Sequence, residues 1–434
     1  MRETKYQGLP AVGWQSGLID PLNKALGRLP APLAPHEAGQ VGWRLLDEDL
    51  SLPAAVLYEE RLAHNLDWMR RFMGAYGMQL APHGKTTMAP KLFARQLAEG
   101  AWGMTLATAH QTAAAHAHGV RRVLMANQLV GRRNMEIVAD LLQDPGFEFF
   151  CLVDSADLVD QLGAFFRARG QRLQVLIELG VAGGRTGVRD GAQQAAVLAA
   201  LARWPDAVTL AGVEIYEGVL QQEAEVRQFL RRTAAVTREL AAAGAFGRQP
   251  VILSGAGSAW YDVVAEEFSR AAASGEIGAP VEIVLRPGCY LTHDVGIYRA
   301  AQARILASNP VAQKMREGLL PALQLWAYVQ SVPEATRAII GMGKRDAAFD
   351  AGLPLPARRY RPGTAAPVDV PAHWKVTGMM DQHAYLEIQA GDDVRVGDMI
   401  AFDISHPCLT FDKWRHIPVL DRQYRVIDIV QTFF

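Results

Sequence analysis

The chain has 434 residues, half of them hydrophobic and 21% charged, enough to bury the core of one large domain and a smaller one. With 44 basic against 45 acidic residues the formal net charge is -1, which leaves no bulk electrostatic footprint for nucleic acid. No run approaches the ~18 apolar residues of a spanning helix, and residues 1–7 mix charges with no apolar stretch, so the expectation is a soluble, unexported, cytoplasmic protein.

In chain order, residues 52–58 read as a short strand and 61–76 as an amphipathic helix with Leu62, Leu66, Met69 and Met73 on one face. Apolar, strand-like runs then recur near 78–81, 102–107, 122–126, 147–153, 173–179, 208–215, 250–253 and 281–285, with helical composition between them. Eight strands alternating with helices form the pattern of an α/β fold, a (β/α)8 TIM-type barrel, because parallel strands need crossover helices and eight close into a packed ring. A doubly wound open sheet is the structural alternative. The Ala-rich segments 195–202 and 234–243 are good helix formers with no chemistry to report.

Beyond residue 305 the pattern changes. A helical stretch over 311–319 and a strand-like run over 324–330 precede Pro354, Pro356, Pro362, Pro367 and Pro371, which exclude regular helix. Alternation in 384–388, a turn at Gly391, Val394 with Val396, and runs at 399–404 and 424–430 then predict a small antiparallel β domain.

Barrel enzymes place their chemistry at the C-terminal ends of the strands. The first strand closes on Pro82-His83-Gly84-Lys85-Thr86-Thr87, which sets a lysine at the barrel mouth. Most lysines so placed are solvated or salt-bridged. A partly desolvated one loses its proton and forms a Schiff base with an aldehyde, the way pyridoxal phosphate is held. A phosphate-bearing cofactor should leave a second trace in the loops after strands seven and eight. Ser254-Gly255-Ala256-Gly257-Ser258 follows strand seven and precedes a predicted helix over 261–271, and Arg286-Pro287-Gly288-Cys289-Tyr290 follows strand eight. One Gly-rich turn alone is ordinary; two at strand ends, with a mouth lysine, reinforce each other.

Strand five runs through Glu178-Leu179-Gly180 into Gly183-Gly184-Arg185-Thr186-Gly187, and strand six ends in Glu214-Ile215-Tyr216-Glu217-Gly218. Alone, Arg185 is an ion-pair partner and Tyr216 a packed aromatic; beside a pyridoxal ring they would meet its phenolic oxygen and its ring nitrogen. Ser405-His406-Pro407-Cys408 ends a predicted strand, where period-two geometry sets His406 and Cys408 on one face, an imidazole–thiolate pair suited to zinc in an open, two-ligand site. The alternative is a buried cysteine beside a satisfied histidine. His383 and His416 are further candidates without supporting spacing, and His110, His116 and His118, on one predicted helix, stay unassigned. Cys151, Cys289 and Cys408 form no C-x-x-C pair, which argues against a disulfide framework and leaves each open as a single metal ligand.

Taken in order, Pro82-His83-Gly84-Lys85-Thr86, the Gly-x-Arg-Thr-Gly segment ending at Gly187, Ser254-Gly255-Ala256-Gly257, Pro287-Gly288-Cys289-Tyr290, Gln382-His383 and His406-Pro407-Cys408 resemble the D-serine dehydratase/D-threonine aldolase family. These are pyridoxal-phosphate enzymes of the alanine racemase fold. The resemblance implies a cofactor-binding barrel over 50–305 and a β-rich domain assembled from 1–49 and 306–434 that carries the metal ligands. It implies that Lys85 is the Schiff-base lysine, that Arg185 meets the phenolic oxygen and Tyr216 the pyridine nitrogen, that Ser254, Gly255, Gly257, Ser258 and Tyr290 surround the phosphate, and that His406 and Cys408 bind Zn2+. Cysteine at 408, where the aldolase branch typically has aspartate, resembles the dehydratase branch, and thiolate favours zinc. The implied reaction is deaminating β-elimination of a 3-hydroxy D-amino acid by a homodimer with no nucleic-acid or membrane partner. Metal-dependent retro-aldol cleavage of the D-threonine aldolase type, racemisation and non-catalytic pyridoxal-phosphate binding are the alternatives. The sequence departs from the family at Thr87-Met88, where His-Lys is commoner, in its Pro-rich 351–372 segment, and in its N-terminal lead; these departures bear on substrate identity.

Overall fold

The computed structural model describes residues 17–434, so residues 1–7 and the start of the 1–49 segment lie outside it. All eight expected runs form strands: Gln79–Leu80, Met104–Leu106, Arg122–Gln128, Glu148–Val153, Leu173–Leu179, Val208–Ile215, Val251–Gly255 and Val281–Leu285. From the second to the eighth, each pairs in parallel with its neighbour in chain order, and the first pairs with the eighth, Leu80 opposite Leu285. Just past the first strand the ring closes onto the second: Trp102 N donates to Leu80 O at 2.7 Å and Thr105 N to Pro82 O at 2.9 Å. The sheet is therefore a barrel and not an open doubly wound sheet.

Strand alternation divides the apolar side chains. Ala81, Trp102, Leu124, Ala126, Phe150, Leu152, Leu176, Ala211, Ile252 and Val284 form one cluster, while Val123, Phe149, Cys151, Val153, Val175, Ile177 and Val213 pack in the other, with the helices. Cys151 is thus a core residue, its thiol pushed up by burial. Three crossover helices begin on side-chain caps: Thr108 accepts from Gln111 N, Ser155 from Leu158 N and Asp190 from Gln193 N. Where Val208–Ile215 passes Val251–Gly255, a Cβ on Gly212 would lie 2.0 Å from Ile252 O. Gly212→Ala should therefore cost about 2–3 kcal/mol of stability in urea unfolding, whereas Gly191→Ala, which meets open space, should stay within about 0.5 kcal/mol. Equal stability of the two variants would contradict this packing.

The remaining strands form a second sheet in the order Val368–Asp369, Leu355–Tyr360, Met399–Asp403, Leu323–Glu334, Ala54–Tyr58, His416–Leu420, Val426–Gln431, with Arg337–Ile340, Ala384–Glu387 and Lys375–Met379 extending from the long strand Leu323–Glu334. Pairing is antiparallel except between Ala54–Tyr58 and His416–Leu420. The strand predicted at 52–58 thus lies here and not in the barrel, and all five of its residues are buried because it is flanked on both edges. The Pro-rich segment is strand in part: Pro356 sits at a register shift opposite Phe402, where the ladder dispenses with an N–H donor.

The C-terminal end of this sheet is sewn to the helix that follows the first barrel strand, Pro90–Ala98. Phe433 N donates to Met88 O at 2.9 Å, and Lys91 Nζ reaches Ile429 O at 3.1 Å and pairs with Asp428. Among the described residues no helix is long and apolar enough to cross a membrane.

Candidate active site at the barrel mouth

The first barrel strand delivers the chain into the turn Gly84–Thr86. Two glycines fix its position. A Cβ on Gly84 would lie 2.9 Å from the Phe93 ring, and one on Gly288 would lie 2.8 Å from His83 and from Thr86 Oγ1, so the loop after the eighth strand packs directly on the turn. Lys85 stands in this mouth with no hydrogen-bond or ion-pair partner among the described residues. Solvent reaches the side chain, yet the surrounding wall desolvates the ammonium and lowers its pKa; Arg185 and Arg286 push the same way, and Cys408 and Cys289 oppose them. Burial holds the neighbouring His83 neutral, with its Nδ1 unpartnered.

Arg185 lies over the Tyr216 ring, its Cζ 4.8 Å from the centroid. Tyr216 is wedged between glycines: a Cβ on Gly218 would lie 2.6 Å from its hydroxyl and one on Gly257 3.1 Å from its ring. Burial raises the Tyr216 phenol, and the adjacent Glu217 raises it further. Below them, Glu178 accepts from Thr186 Oγ1 at 2.5 Å and Gln128 Nε2 at 2.6 Å, while Arg286 pairs with Glu214 and donates to Ile215 O at 2.8 Å. Burial outweighs Arg286 and pushes Glu214 up to about 8.

The phosphate assignments divide. Ser254 and Gly255 belong to the seventh barrel strand, and the buried Ser254 hydroxyl donates to Val284 O at 3.0 Å, so both are spent on the sheet. The Tyr290 side chain is buried with its hydroxyl accepting from Gln96 Nε2 at 3.1 Å, and it shares the lining of a small cavity with Ser258 and Cys289. Gly257 and Ser258 lie in the loop proper. There Ala256 N and Gly257 N donate to the buried Glu217 carboxylate at 3.0 and 2.7 Å, and Cys289 N donates to Ser258 Oγ at 3.3 Å. Consecutive amides turned onto one carboxylate, with Ala256 at φ 76°, make an anion-binding nest. Glu217 is the residue sequence reasoning passed over; its only signal is its place beside Tyr216.

His406 and Cys408 come together, by a different route from strand alternation. The strand stops at Asp403, and Cys408 opens the short helix Cys408–Phe411 behind the helical Pro407. His406 Nδ1 contacts Asp350 Oδ2 at 2.8 Å. Cys408, and after it Asp350, raises the imidazole's pKa to about 9, while Cys289 and His406 depress that of the Cys408 thiol. Cys408 Sγ also lies 3.4 Å from Thr86 Oγ1 and 3.8 Å from Cys289 Sγ. A thiolate and an imidazole whose other nitrogen is held by a carboxylate form a donor set that fits zinc. The described residues offer no cluster of three metal-ligating side chains, so any such site is open.

Two of the other histidines have partners of their own. His116 pairs with Asp144 at 2.9 Å and His118 Nδ1 contacts Ala114 O at 2.7 Å. His383 is exposed, and His416 is buried in its strand, pushed down to about 4 with both ring nitrogens unpartnered.

Comparison with known proteins bears on the family and the fold. Residues 58–268 match the family profile of the alanine racemase N-terminal domain, and residues 322–420 match one described as "Putative serine dehydratase domain". The chain is 27% identical over 367 residues to a D-threonine aldolase from Arthrobacter sp, spanning 83% of this chain and 86% of that protein. It is 32% identical over 154 residues to the D-threo-3-hydroxyaspartate dehydratase of Delftia sp. (strain HT23), spanning 36% and 40% respectively. In fold it resembles the D-threonine aldolase from Filomicrobium marinum, with a TM-score of 0.73 at 24% identity over 90% of this chain and 97% of the other. The Delftia dehydratase gives a TM-score of 0.69 at 22% identity over 90% and 99%.

Proposed function

Because this chain belongs to the pyridoxal-phosphate-dependent family that joins an alanine racemase N-terminal domain to a serine dehydratase domain, we propose that it is a zinc-dependent lyase that converts a 3-hydroxy D-amino acid to a 2-oxo acid and ammonia. One observation carries the reading: Thr86, the residue after Lys85, has its Oγ1 3.4 Å from Cys408 Sγ. A base and a soft metal ligand thereby share one mouth, where a substrate's Cα–H and β-hydroxyl lie a bond apart.

Bound here, pyridoxal phosphate supplies the electron sink for a Cα carbanion and zinc the Lewis acidity that eases departure of hydroxide. Lys85 would hold the cofactor and would serve as the base for the Cα proton; its lowered pKa leaves more free amine at neutral pH. Tyr216, kept protonated by burial and Glu217, can donate to the pyridine nitrogen but not protonate it, which leaves the ring a weaker sink and raises the demand on the metal. Arg185, ordered against Tyr216, would meet the phenolic oxygen. Gly257 and Ser258 hold the phosphate, while the barrel over 50–305 carries the cofactor and the β-rich domain the metal. His406, its Nδ1 tied to Asp350, presents Nε2 beside Cys408 as the metal pair. The same reading takes the protein as a homodimer, with a dimer mass in light scattering as the check.

Asp350→Asn should weaken zinc binding about 10–100-fold, because the amide orients the imidazole poorly. Turnover should recover at saturating zinc. Unchanged affinity in a zinc competition titration would remove Asp350 from this role.

The length of the match to a D-threonine aldolase favours one second reading, retro-aldol cleavage in the same mouth. A product assay on D-serine, D-threonine and D-3-hydroxyaspartate, with and without chelator, separates them. A 2-oxo acid with ammonia, lost on chelation, is the expected result; glycine with an aldehyde would replace the dehydratase reading.

A further inference from the structure

Cys289 has no part in the chemistry above, yet its sulfur is the nearest to the metal pair. It lies in the loop after the eighth barrel strand, 119 residues from Cys408 in sequence, with the two sulfurs 3.8 Å apart. Thr86 Oγ1 bridges them, 4.0 Å from Cys289 Sγ and 3.4 Å from Cys408 Sγ. The two thiols differ in access: Cys289 is 5% exposed, while Cys408 is half-buried and faces the mouth. Their contact crosses from the barrel to the second sheet, so a bond between them would tie the two together. The third thiol, Cys151, is sealed in the barrel core and serves as an internal control.

We propose that Cys289 and Cys408 form an oxidation-sensitive dithiol, a modification site at which a peroxide converts the pair to a disulfide. The chemistry balances in two steps. The Cys408 sulfur, as thiolate, attacks one peroxide oxygen; the S–O bond forms, the O–O bond breaks and hydroxide leaves, taking up a proton as water. The Cys289 sulfur then attacks the resulting sulfenic sulfur; the S–S bond forms, the S–O bond breaks, and the departing hydroxide takes the Cys289 proton as a second water. The two sulfurs together lose two electrons and hydrogen peroxide gains them. Residue 408 meets the oxidant because it is the more exposed of the two, and residue 289, only 5% exposed, resolves it. A disulfide needs sulfurs ~2.05 Å apart, a closure from contact that side-chain rotation supplies. Zinc on Cys408 occupies the same lone pair, so metal and disulfide exclude each other; only this last clause rests on the zinc reading.

The test uses the full chain, stripped of metal by a chelator and treated with stoichiometric hydrogen peroxide, followed by peptide mapping without reductant. The expected result is a linked pair of peptides containing Cys289 and Cys408, with free thiols falling from three to one and Cys151 unmodified. Oxidised protein should bind no zinc until dithiothreitol is added, and zinc-loaded protein should form the link several-fold more slowly. In Cys289→Ser, Cys408 should stop at sulfenic acid with the first equivalent of peroxide and go on to sulfinic acid with a second, with no link. Should that variant fail to fold, the wild-type rates with and without zinc still decide. Metal-free wild type accumulating Cys408 sulfinic acid with Cys289 free would overturn the proposal, as would a link to Cys151 or between chains. A link in a chain that never binds zinc upholds the dithiol while discarding the metal assignment; zinc binding without a link discards the dithiol alone.

Discussion

Lys85→Ala should give a folded, colourless protein whose turnover is down by ~10⁴-fold, because one side chain both anchors the cofactor and moves the proton. The geometry singles out this lysine. Its amine has no ion-pair partner, it stands at the end of the first barrel strand beside the packed 286–290 loop, and burial in the mouth lowers its pKa. Rivals are engaged elsewhere: Lys91 is bound to Asp428 and Ile429 O, and Lys344 lies over the Phe349 ring, 5.2 Å from its centroid. Borohydride reduction of the yellow wild-type protein should fix the label on the peptide containing Lys85, and the visible band should vanish in Lys85→Ala. A label on Lys91 or Lys344, or an alanine variant that keeps its colour after dialysis, would remove the assignment. The resemblance to the D-amino-acid family implies that substrates of D configuration should be turned over and L isomers not; equal rates on D- and L-serine would contradict it.

Why the barrel was legible in the sequence, and parts of the site were not, follows from how each is encoded. Strand and helix periods are local, so all eight barrel strands could be read from apolar runs, and the loops that carry Lys85 and Gly257 follow from where those strands end. The strand at Ala54–Tyr58 reads equally well as local pattern, but its membership in the second sheet depends on partners at 323–326 and 419–420, which no local period announces. The partners of the Ser254 and Tyr290 hydroxyls are equally non-local: Val284 O comes from another strand and Gln96 from a helix. Glu217 on the loop amides, Asp350 behind His406 and Cys289 beside Cys408 are all contacts between distant segments, 39, 56 and 119 residues apart. His406 and Cys408 lie close together, but not through alternation, because Pro407 turns the chain into a helix where alternation expected a strand.

Cys408→Ala should cut turnover by ~10³-fold while leaving the fold and the cofactor band in place. Zinc acidity at a leaving hydroxide is worth several kcal/mol and each ~1.4 kcal/mol is tenfold. Removing the thiolate leaves His406 as the sole ligand of a site that already lacks a third. Structure should survive, since Cys408 is only half-buried and the short helix it opens is fixed by the buried Thr410 and Phe411. Chelation of the wild type should reproduce the loss, and readdition of zinc should reverse it there but not in the variant. A second signature separates loss of metal from loss of charge. Cys408 raises the Lys85 pKa, so its removal should lower that pKa further, and the pH above which metal-free protein takes up cofactor should move down. Chelation alone leaves the thiolate in place and should not produce that shift. Cys408→Asp keeps a negative ligand of harder character, so it should bind manganese or magnesium in preference to zinc and regain part of the activity with them. Full activity in wild-type protein free of zinc, on every 3-hydroxy D-amino acid tried, would remove the metal from the reaction and return the mouth to racemase-like chemistry or to cofactor binding without turnover.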